Sequence, residues 1–103
     1  MFLIELALHD TPERLAARAA HRDRLAALHE QGVVRIAGPT EAGDRAYIVV
    51  DGDRSVVDAV LADDPYYSRD DVEVLQVIAW APVFRWRRGF RHRFRRVGPE
   101  VPR

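Results

Sequence analysis

The sequence predicts an α+β fold in which a four-stranded antiparallel sheet carries two helices on one face. First, short segments with alternating or β-branched apolar residues are typical of strands. Second, two longer segments repeat apolar residues every three or four positions, as helices do. Third, these segments follow the order β-α-β-β-α-β with one direct hairpin, which places both helices on the same face of the sheet.

The first strand is predicted over residues 2–9, because its side chains alternate between two different faces. One face is entirely apolar and is expected to lie under the helices. The other is mixed, which suits a sheet face that meets a partner or a cavity. The apolar face consists of Phe2, Ile4, Leu6 and Leu8, and the mixed face of Leu3, Glu5, Ala7 and His9.

The first helix is predicted to run to about Gln31. Asp10 is expected to cap its start, with Glu13 completing a capping box and Pro12 in the first turn. Gly32 is a favourable residue just beyond a helix end.

One side of this helix changes from polar to apolar along its length. Residues three and four positions apart share a helix face, and this stripe consists of Arg14, Arg18, His21, Leu25 and Leu28. A stripe that only fills a core does not need its first three members. The stripe therefore makes His21 the first candidate for a functional residue.

A hairpin is predicted to follow, with strands at residues 33–37 and 45–51. Gly38 and Pro39 are expected to end the first of these strands, since proline supplies no N–H group. Residues 40–44 form the loop between the strands.

Ser55 is predicted to cap the start of the second helix, with Asp58 in the capping-box position. It cannot continue through Pro65, which disfavours helical geometry at the preceding residue. Residues 66–71 are interpreted as a polar loop and residues 72–80 as the fourth strand.

The complete order corresponds to a ferredoxin-like plait, which leaves one face of the sheet without helices. That face shows Leu3 and Ala7 of the first strand and a mostly apolar side of the fourth, so a second copy packed sheet to sheet is expected to cover it as a two-fold homodimer. The domain is assigned to residues 1–83, and residues 84–103 are interpreted as an arginine-rich C-terminal extension.

Composition limits the possible classes of protein. The 103 residues suit a single domain, and 48% hydrophobic with 31% charged residues is typical of a globular chain. No apolar run is long enough to cross a membrane. Cysteine is absent, which excludes disulfides and thiol chemistry. No signal peptide is recognised, and a cytoplasmic location is expected.

The net charge of zero conceals an asymmetry between two parts of the chain. Residues 84–103 hold eight arginines and one acid, a charge of +7, whereas residues 1–83 hold eight arginines and fifteen acids, a charge of −7. The extension interleaves arginine with Phe84, Trp86, Phe90 and Phe94, which is typical of nucleic-acid or anionic membrane binding. Because the rest of the chain is acidic, packing within a dimer is favoured and nucleic-acid binding is the weaker alternative.

His21 and Asp64 are the residues predicted to carry chemistry. Histidine exchanges protons near neutral pH, and a neighbouring carboxylate fixes its tautomer. Both helices pack on the same face of the predicted sheet, so the two side chains can meet. The alternative is a histidine on the flank of a helix and an aspartate in a turn, neither with a functional role.

An ordered set of short motifs within residues 1–83 resembles the YciI-like proteins, which contain the YCII-related domain. The motifs are Arg18-Ala-Ala-His21, Leu25-Ala-Ala-Leu28, Gly32, Ala37-Gly38-Pro39 and Asp64-Pro65-Tyr66. The resemblance implies a dimeric α+β barrel with an active-site pair. This pair corresponds to His21 and Asp64, with Arg18, Gly38 and Pro39 at the same pocket. Residues 68–71 depart from the family, in which a glycine is common.

The resemblance does not identify a reaction, since most family members have none established. A dehydrochlorinase acting on a chlorinated hydroxyaromatic compound is among those assigned. General acid–base catalysis on a small polar or aromatic substrate is therefore predicted, with His21 moving the proton and Asp64 orienting it. A non-catalytic ligand-binding or dimerisation module is the alternative.

Three further residues are predicted to bind substrate. Arg18 matches a carboxylate or phenolate, although an ion pair with Asp64 or Glu5 is an equal alternative. Tyr66 can donate a hydrogen bond into the pocket or can simply pack there. His9 is a second titrating group if its sheet face lines a cavity. No cofactor or metal is expected, because no spacing requires several ligands to converge.

Overall fold

The computed structural model describes residues 1–85 and has the predicted element order. Residues 86–103, which include Trp86, Phe90 and Phe94 of the predicted extension, lie outside the described residues. The elements are β1 (Phe2–Leu8), α1 (Pro12–Glu30), β2 (Val34–Pro39), β3 (Arg45–Val50), α2 (Arg54–Asp63), a 3-10 turn (Pro65–Ser68) and β4 (Val72–Ala79).

The four strands form one antiparallel sheet in the order β2-β3-β1-β4. The ferredoxin-like α+β plait predicted from the sequence is therefore confirmed. Neither helix of residues 1–85 is long and apolar enough to cross a membrane.

The core lies between the sheet and the helices. Ile4 and Leu6 of the predicted apolar face of β1 are 0% and 1% exposed. They belong to one buried cluster with Ile48 of β3 and Val57 of α2. Burial of each such side chain contributes about 1.5–3 kcal/mol, so the alternation in β1 fixes which face of the sheet meets the helices.

Both helix caps differ from the prediction. Thr11, not Asp10, caps α1, because its hydroxyl accepts a 3.1 Å hydrogen bond from the backbone N–H of Arg14. Pro12 occupies the first helical turn, so the residue directly before it takes the cap position. Asp53, not Ser55, caps α2 through its carboxylate.

β2 continues through Gly38 and Pro39, where the sequence predicted its end. Pro39 pairs with Ala46 of β3. Because β2 is an edge strand, a missing N–H on its open side interrupts no ladder of hydrogen bonds.

The prediction that residues 66–71 form a polar loop is also wrong for the first of these residues. Residues 65–68 form a 3-10 turn, in which Tyr66 and Tyr67 are 5% and 8% exposed. Both tyrosines belong to the core cluster. This segment turns inward because it packs against the core. Local composition does not predict such packing.

Candidate functional site

His21 and Asp64 form a buried hydrogen-bonded pair. His21 lies in the middle of α1, and Asp64 lies between the end of α2 and the 3-10 turn. The His21 Nδ1 atom is 2.7 Å from the Asp64 Oδ2 atom, and the residues are 8% and 6% exposed. The contact joins residues 43 positions apart, so the packing of α1 beside the 3-10 turn creates it.

The local backbone holds the Asp64 carboxylate in place. Asp64 has an extended conformation with φ −118° and ψ 112°, as expected for the residue before Pro65. Its Oδ1 atom accepts a 3.0 Å hydrogen bond from the backbone N–H of Tyr66, while Oδ2 faces His21. Each carboxylate oxygen therefore has its own partner.

Two tyrosines hold the plane of the His21 ring. The Tyr66 ring stacks on it with a centroid separation of 4.0 Å and an interplanar angle of 9°. The Tyr67 ring meets it edge-on, at 5.3 Å and 89°. With the carboxylate fixed as well, the imidazole has one orientation.

This arrangement assigns the tautomer of neutral His21. An ionised carboxylate only accepts hydrogen bonds, so Nδ1 carries the proton and Nε2 has a free lone pair. Nε2 has no hydrogen-bond partner within residues 1–85, and it is not among the fully buried unpaired atoms of this range. Nε2 is therefore not fully buried, and its lone pair is free to accept a proton.

His21 lines a cleft of about 580 Å³ between α1 and the β2–β3 part of the sheet. This volume is within the ~300–1,000 Å³ range of small-molecule sites. Apolar side chains and arginines both line it, and Asp64 is not among the lining residues. The apolar lining includes Leu6, Leu8, Leu25, Ala46 and Ile48, and the arginines are Arg14, Arg18, Arg22 and Arg35.

The predicted binding residues have different positions. Arg18, Gly38, Pro39 and Tyr66 all line the cleft. His9 does not, and its ring is exposed. It contributes its backbone carbonyl, which accepts a hydrogen bond from Arg14.

Arg18 is exposed and forms no hydrogen bond or ion pair within residues 1–85. Neither Asp64 nor Glu5 is its partner. Glu5 instead lies on the opposite sheet face, where Tyr47 and Gln76 donate to its carboxylate. The ion pairs considered as alternatives for Arg18 are thus absent from the described part of the chain.

Sequence reasoning assigned no role to Arg14, although Arg14 belongs to the same helix stripe as His21. Its side chain is buried, with the residue 5% exposed. Its Nε donates to the His9 carbonyl at 2.6 Å, and its Nη1 donates to the Tyr66 hydroxyl at 3.0 Å. Arg14 therefore anchors the ring that stacks on His21.

The Tyr67 hydroxyl is buried without a hydrogen-bond partner in residues 1–85. Its burial and, secondarily, the charge of Asp64 raise the pKa of Tyr67 above its usual value, so the phenol remains neutral.

Asp63 is exposed, and its carbonyl accepts a hydrogen bond from Arg24. Asp64, not Asp63, therefore serves His21.

The site shows no grouping suited to a metal ion. Within residues 1–85, no three histidine, aspartate or glutamate side chains converge as ligands.

Comparison with known proteins places the chain in a family. The family model of the YCII-related domain matches residues 1–81, which include every described strand and helix and both members of the pair. Searches of curated proteins and of solved structures gave no match. Because the family model covers most of the 103 residues, the chain belongs to the YCII-related domain family.

Proposed function

We propose that this YciI-like protein is a small acid–base enzyme in which Nε2 of His21 exchanges a proton with an organic molecule in the cleft. One observation carries the proposal: Nδ1 is held 2.7 Å from a buried carboxylate while Nε2 is not fully buried. A histidine that only filled the core would not need to keep its second nitrogen from full burial.

Asp64 has two roles in this mechanism. Before proton transfer it accepts from Nδ1–H, which leaves the Nε2 lone pair available. After His21 takes the proton, the carboxylate stabilises the imidazolium across the same hydrogen bond. A positioned acid or base of this kind contributes about 10²–10⁴-fold to a reaction rate.

The cleft favours a small organic anion with an apolar or aromatic body. Apolar side chains such as Leu6 and Ile48 line one part of it. Arg18 is exposed at the cleft and matches the geometry of a carboxylate or phenolate. Gly38 and Pro39 line the cleft from β2.

The same cleft also suits a module that binds such a ligand without converting it. Its mixed apolar and cationic lining supports this alternative as well as it supports catalysis. The two proposals differ at His21, which is essential for turnover but only modulates affinity in a binding module.

Proton exchange in D₂O, followed by ¹H NMR, provides the test. The protein is incubated with a panel of small hydroxyaromatic and carboxylic acids, and each is monitored for deuterium incorporation or conversion. We expect activity on at least one compound, none above background with His21→Gln, and a loss of about 10²–10⁴-fold with Asp64→Asn.

Asp63→Asn is the matched control, because it removes a neighbouring exposed carboxylate. Its rate should equal that of the wild type. Equal rates for His21→Gln and wild type would contradict the enzyme proposal. Ligand binding without turnover across the panel would favour the binding module.

We also propose that two copies of the chain pack through their sheet faces opposite the helices. Leu3, Val49 and Ile78 are neighbours on this face by strand register, and Ile36 pairs with Val49. Ile36 and Ile78 are 67% and 38% exposed. Val49 between them is 7% exposed, and exposed apolar side chains around such a residue support an interaction site on this face.

Glu5 lies on this face and has a hydrogen-bond partner for each of its carboxylate oxygens. Tyr47 donates to Oε2 of Glu5 at 3.0 Å, and Gln76 donates to Oε1 at 2.6 Å. A carboxylate with both oxygens paired costs less to bury than a solvated one. Arg45 Nε lies 4.0 Å from Oε2 of Glu5, so a second copy of the same face can cover this carboxylate with its hydrogen bonds and a nearby cation in place.

Light scattering at micromolar concentration tests the dimer. We expect a dimeric mass for the wild type and a monomeric mass for Ile78→Glu. Leu15→Glu is the control, because Leu15 is similarly exposed, at 41%, but lies on α1. A monomeric wild type contradicts the proposal.

A further inference from the structure

Arg14 is a buried cation without a carboxylate partner among residues 1–85. The residue is 5% exposed, yet its side-chain partners are a backbone carbonyl and the Tyr66 hydroxyl. The ion pairs of the described residues do not include it. Burial of an uncompensated charge is unfavourable, and an anion bound beside Arg14 would compensate it.

One nitrogen of Arg14 remains available at the cleft. Nε and one N–H of Nη1 are occupied, whereas both N–H groups of Nη2 have no hydrogen-bond partner within the described range. Nη2 is also not among the fully buried unpaired atoms of that range. Because Arg14 lines the cleft, this remaining donor is positioned to meet a ligand.

The Tyr66 hydroxyl provides a second donor at the same place. Its oxygen already accepts from Nη1 of Arg14 at 3.0 Å, so its own proton is free to be donated elsewhere. A cationic donor on a hydroxyl oxygen polarises the group and strengthens the hydrogen bond that it gives. Tyr66 lines the cleft, and its ring lies 4.0 Å from that of His21.

We propose that Arg14 and Tyr66 form an anion-binding subsite beside His21, in which Nη2 and the tyrosine hydroxyl together bind a ligand oxyanion such as a carboxylate. This inference deepens the proposed function by assigning where the charged end of the ligand binds. Arg14 is held by two hydrogen bonds within the fold, whereas Arg18 is exposed and must order itself on binding. The buried pair is therefore the specific recognition element.

The test measures the affinity of the full chain for benzoate and for its neutral analogue benzamide by isothermal titration calorimetry at fixed ionic strength. The wild type should bind benzoate at least about 10-fold more tightly than benzamide, as expected for hydrogen bonds to a charged group. Tyr66→Phe and Arg14→Gln should each lose about 10-fold in benzoate affinity and leave benzamide binding unchanged.

Arg54→Gln is the matched control for the loss of one positive charge. Arg54 is exposed on α2 and pairs with Asp58, away from the cleft. Its benzoate affinity should equal that of the wild type. Should Arg14→Gln fail to fold, Tyr66→Phe decides alone, because it keeps the ring that stacks on His21.

Two results overturn the subsite. One is a wild-type protein that binds benzoate no more tightly than benzamide or binds neither. The other is an unchanged benzoate affinity in Tyr66→Phe. Selective benzoate binding without deuterium exchange at any panel compound would refute the enzyme proposal alone, whereas exchange without such selectivity would refute the subsite alone.

Discussion

Replacement of Asp64 by asparagine is expected to move the proton of His21 from Nδ1 to Nε2. In the wild type, Oδ1 accepts from the backbone N–H of Tyr66 and Oδ2 faces Nδ1 of His21. Asparagine has one oxygen and one NH₂ group in these places. Its oxygen must remain opposite the Tyr66 N–H, so the NH₂ group faces His21 and makes Nδ1 an acceptor.

The effect on stability should be small and the effect on chemistry large. Asparagine retains two hydrogen bonds, so we expect Asp64→Asn to cost about 1–2 kcal/mol, the gap between charged and neutral hydrogen bonds. Asp64→Ala leaves the backbone N–H of Tyr66 and the Nδ1–H of His21 buried and unpaired, and each unpaired donor should lower the free energy of unfolding by about 1–3 kcal/mol. Protonated Nε2 cannot act as a base, so activity should fall by about 10²–10⁴-fold in Asp64→Asn.

Two-bond ¹H–¹⁵N correlation spectra of the imidazole report the tautomer directly. We expect the Nδ1–H form in the wild type, the Nε2–H form in Asp64→Asn, and an unchanged spectrum in the Asp63→Asn control. Urea unfolding measures the accompanying change in free energy. An Nε2–H tautomer in the wild type, or an unchanged tautomer in Asp64→Asn, would refute the assignment of roles.

Three further predictions concern the surroundings of the site. Hydrogen bonds from Arg69 and then Thr11 lower the pKa of Asp71 to about 2, below its usual 3.8, so the folded state binds fewer protons than the unfolded state. The contribution of Asp71 to stability is complete above pH 4 and is lost as the pH falls to 2. The melting temperature should therefore fall less steeply with pH in Asp71→Asn than in the wild type; equal slopes would contradict this. Thr11→Ala should lower the unfolding free energy by about 1 kcal/mol in urea titrations, whereas Asp10→Ala should have little effect; the reverse order would restore Asp10 as the cap. Tyr67→Phe should leave the melting temperature unchanged or raise it, because the lost hydroxyl is buried without a partner in the described residues; a clear decrease would reveal an additional partner.

Local patterns predicted most of the fold. Side chains in a strand alternate with a period of two, so Ile4 and Leu6 were assigned to the core side of β1 without knowledge of its partners. The caps were predicted less well, because each helix start offers two competing residues. Asp10 and Thr11 can both cap α1, and the position of Pro12 at the first turn decides between them.

The candidate site was predicted only as a set of residues. The spacing and the family resemblance identified His21 and Asp64, but they did not assign the nitrogen that faces the carboxylate. They also left the burial of Arg14 and of Tyr66 unpredicted. The contact between Arg14 and Tyr66 joins residues 52 positions apart, and no local pattern reports such a contact.

The sequence by itself determined the element order, the core face of β1 and the two members of the candidate pair, His21 and Asp64. These features depend on neighbouring residues and on short motifs. Only the tertiary structure decided that Nε2 of His21 is not fully buried, that Asp64 lies outside the cleft lining and that Arg14 is a buried cation. Each of these depends on how α1 packs against the 3-10 turn after Asp64, and packing between distant segments sets both burial and the direction of hydrogen bonds.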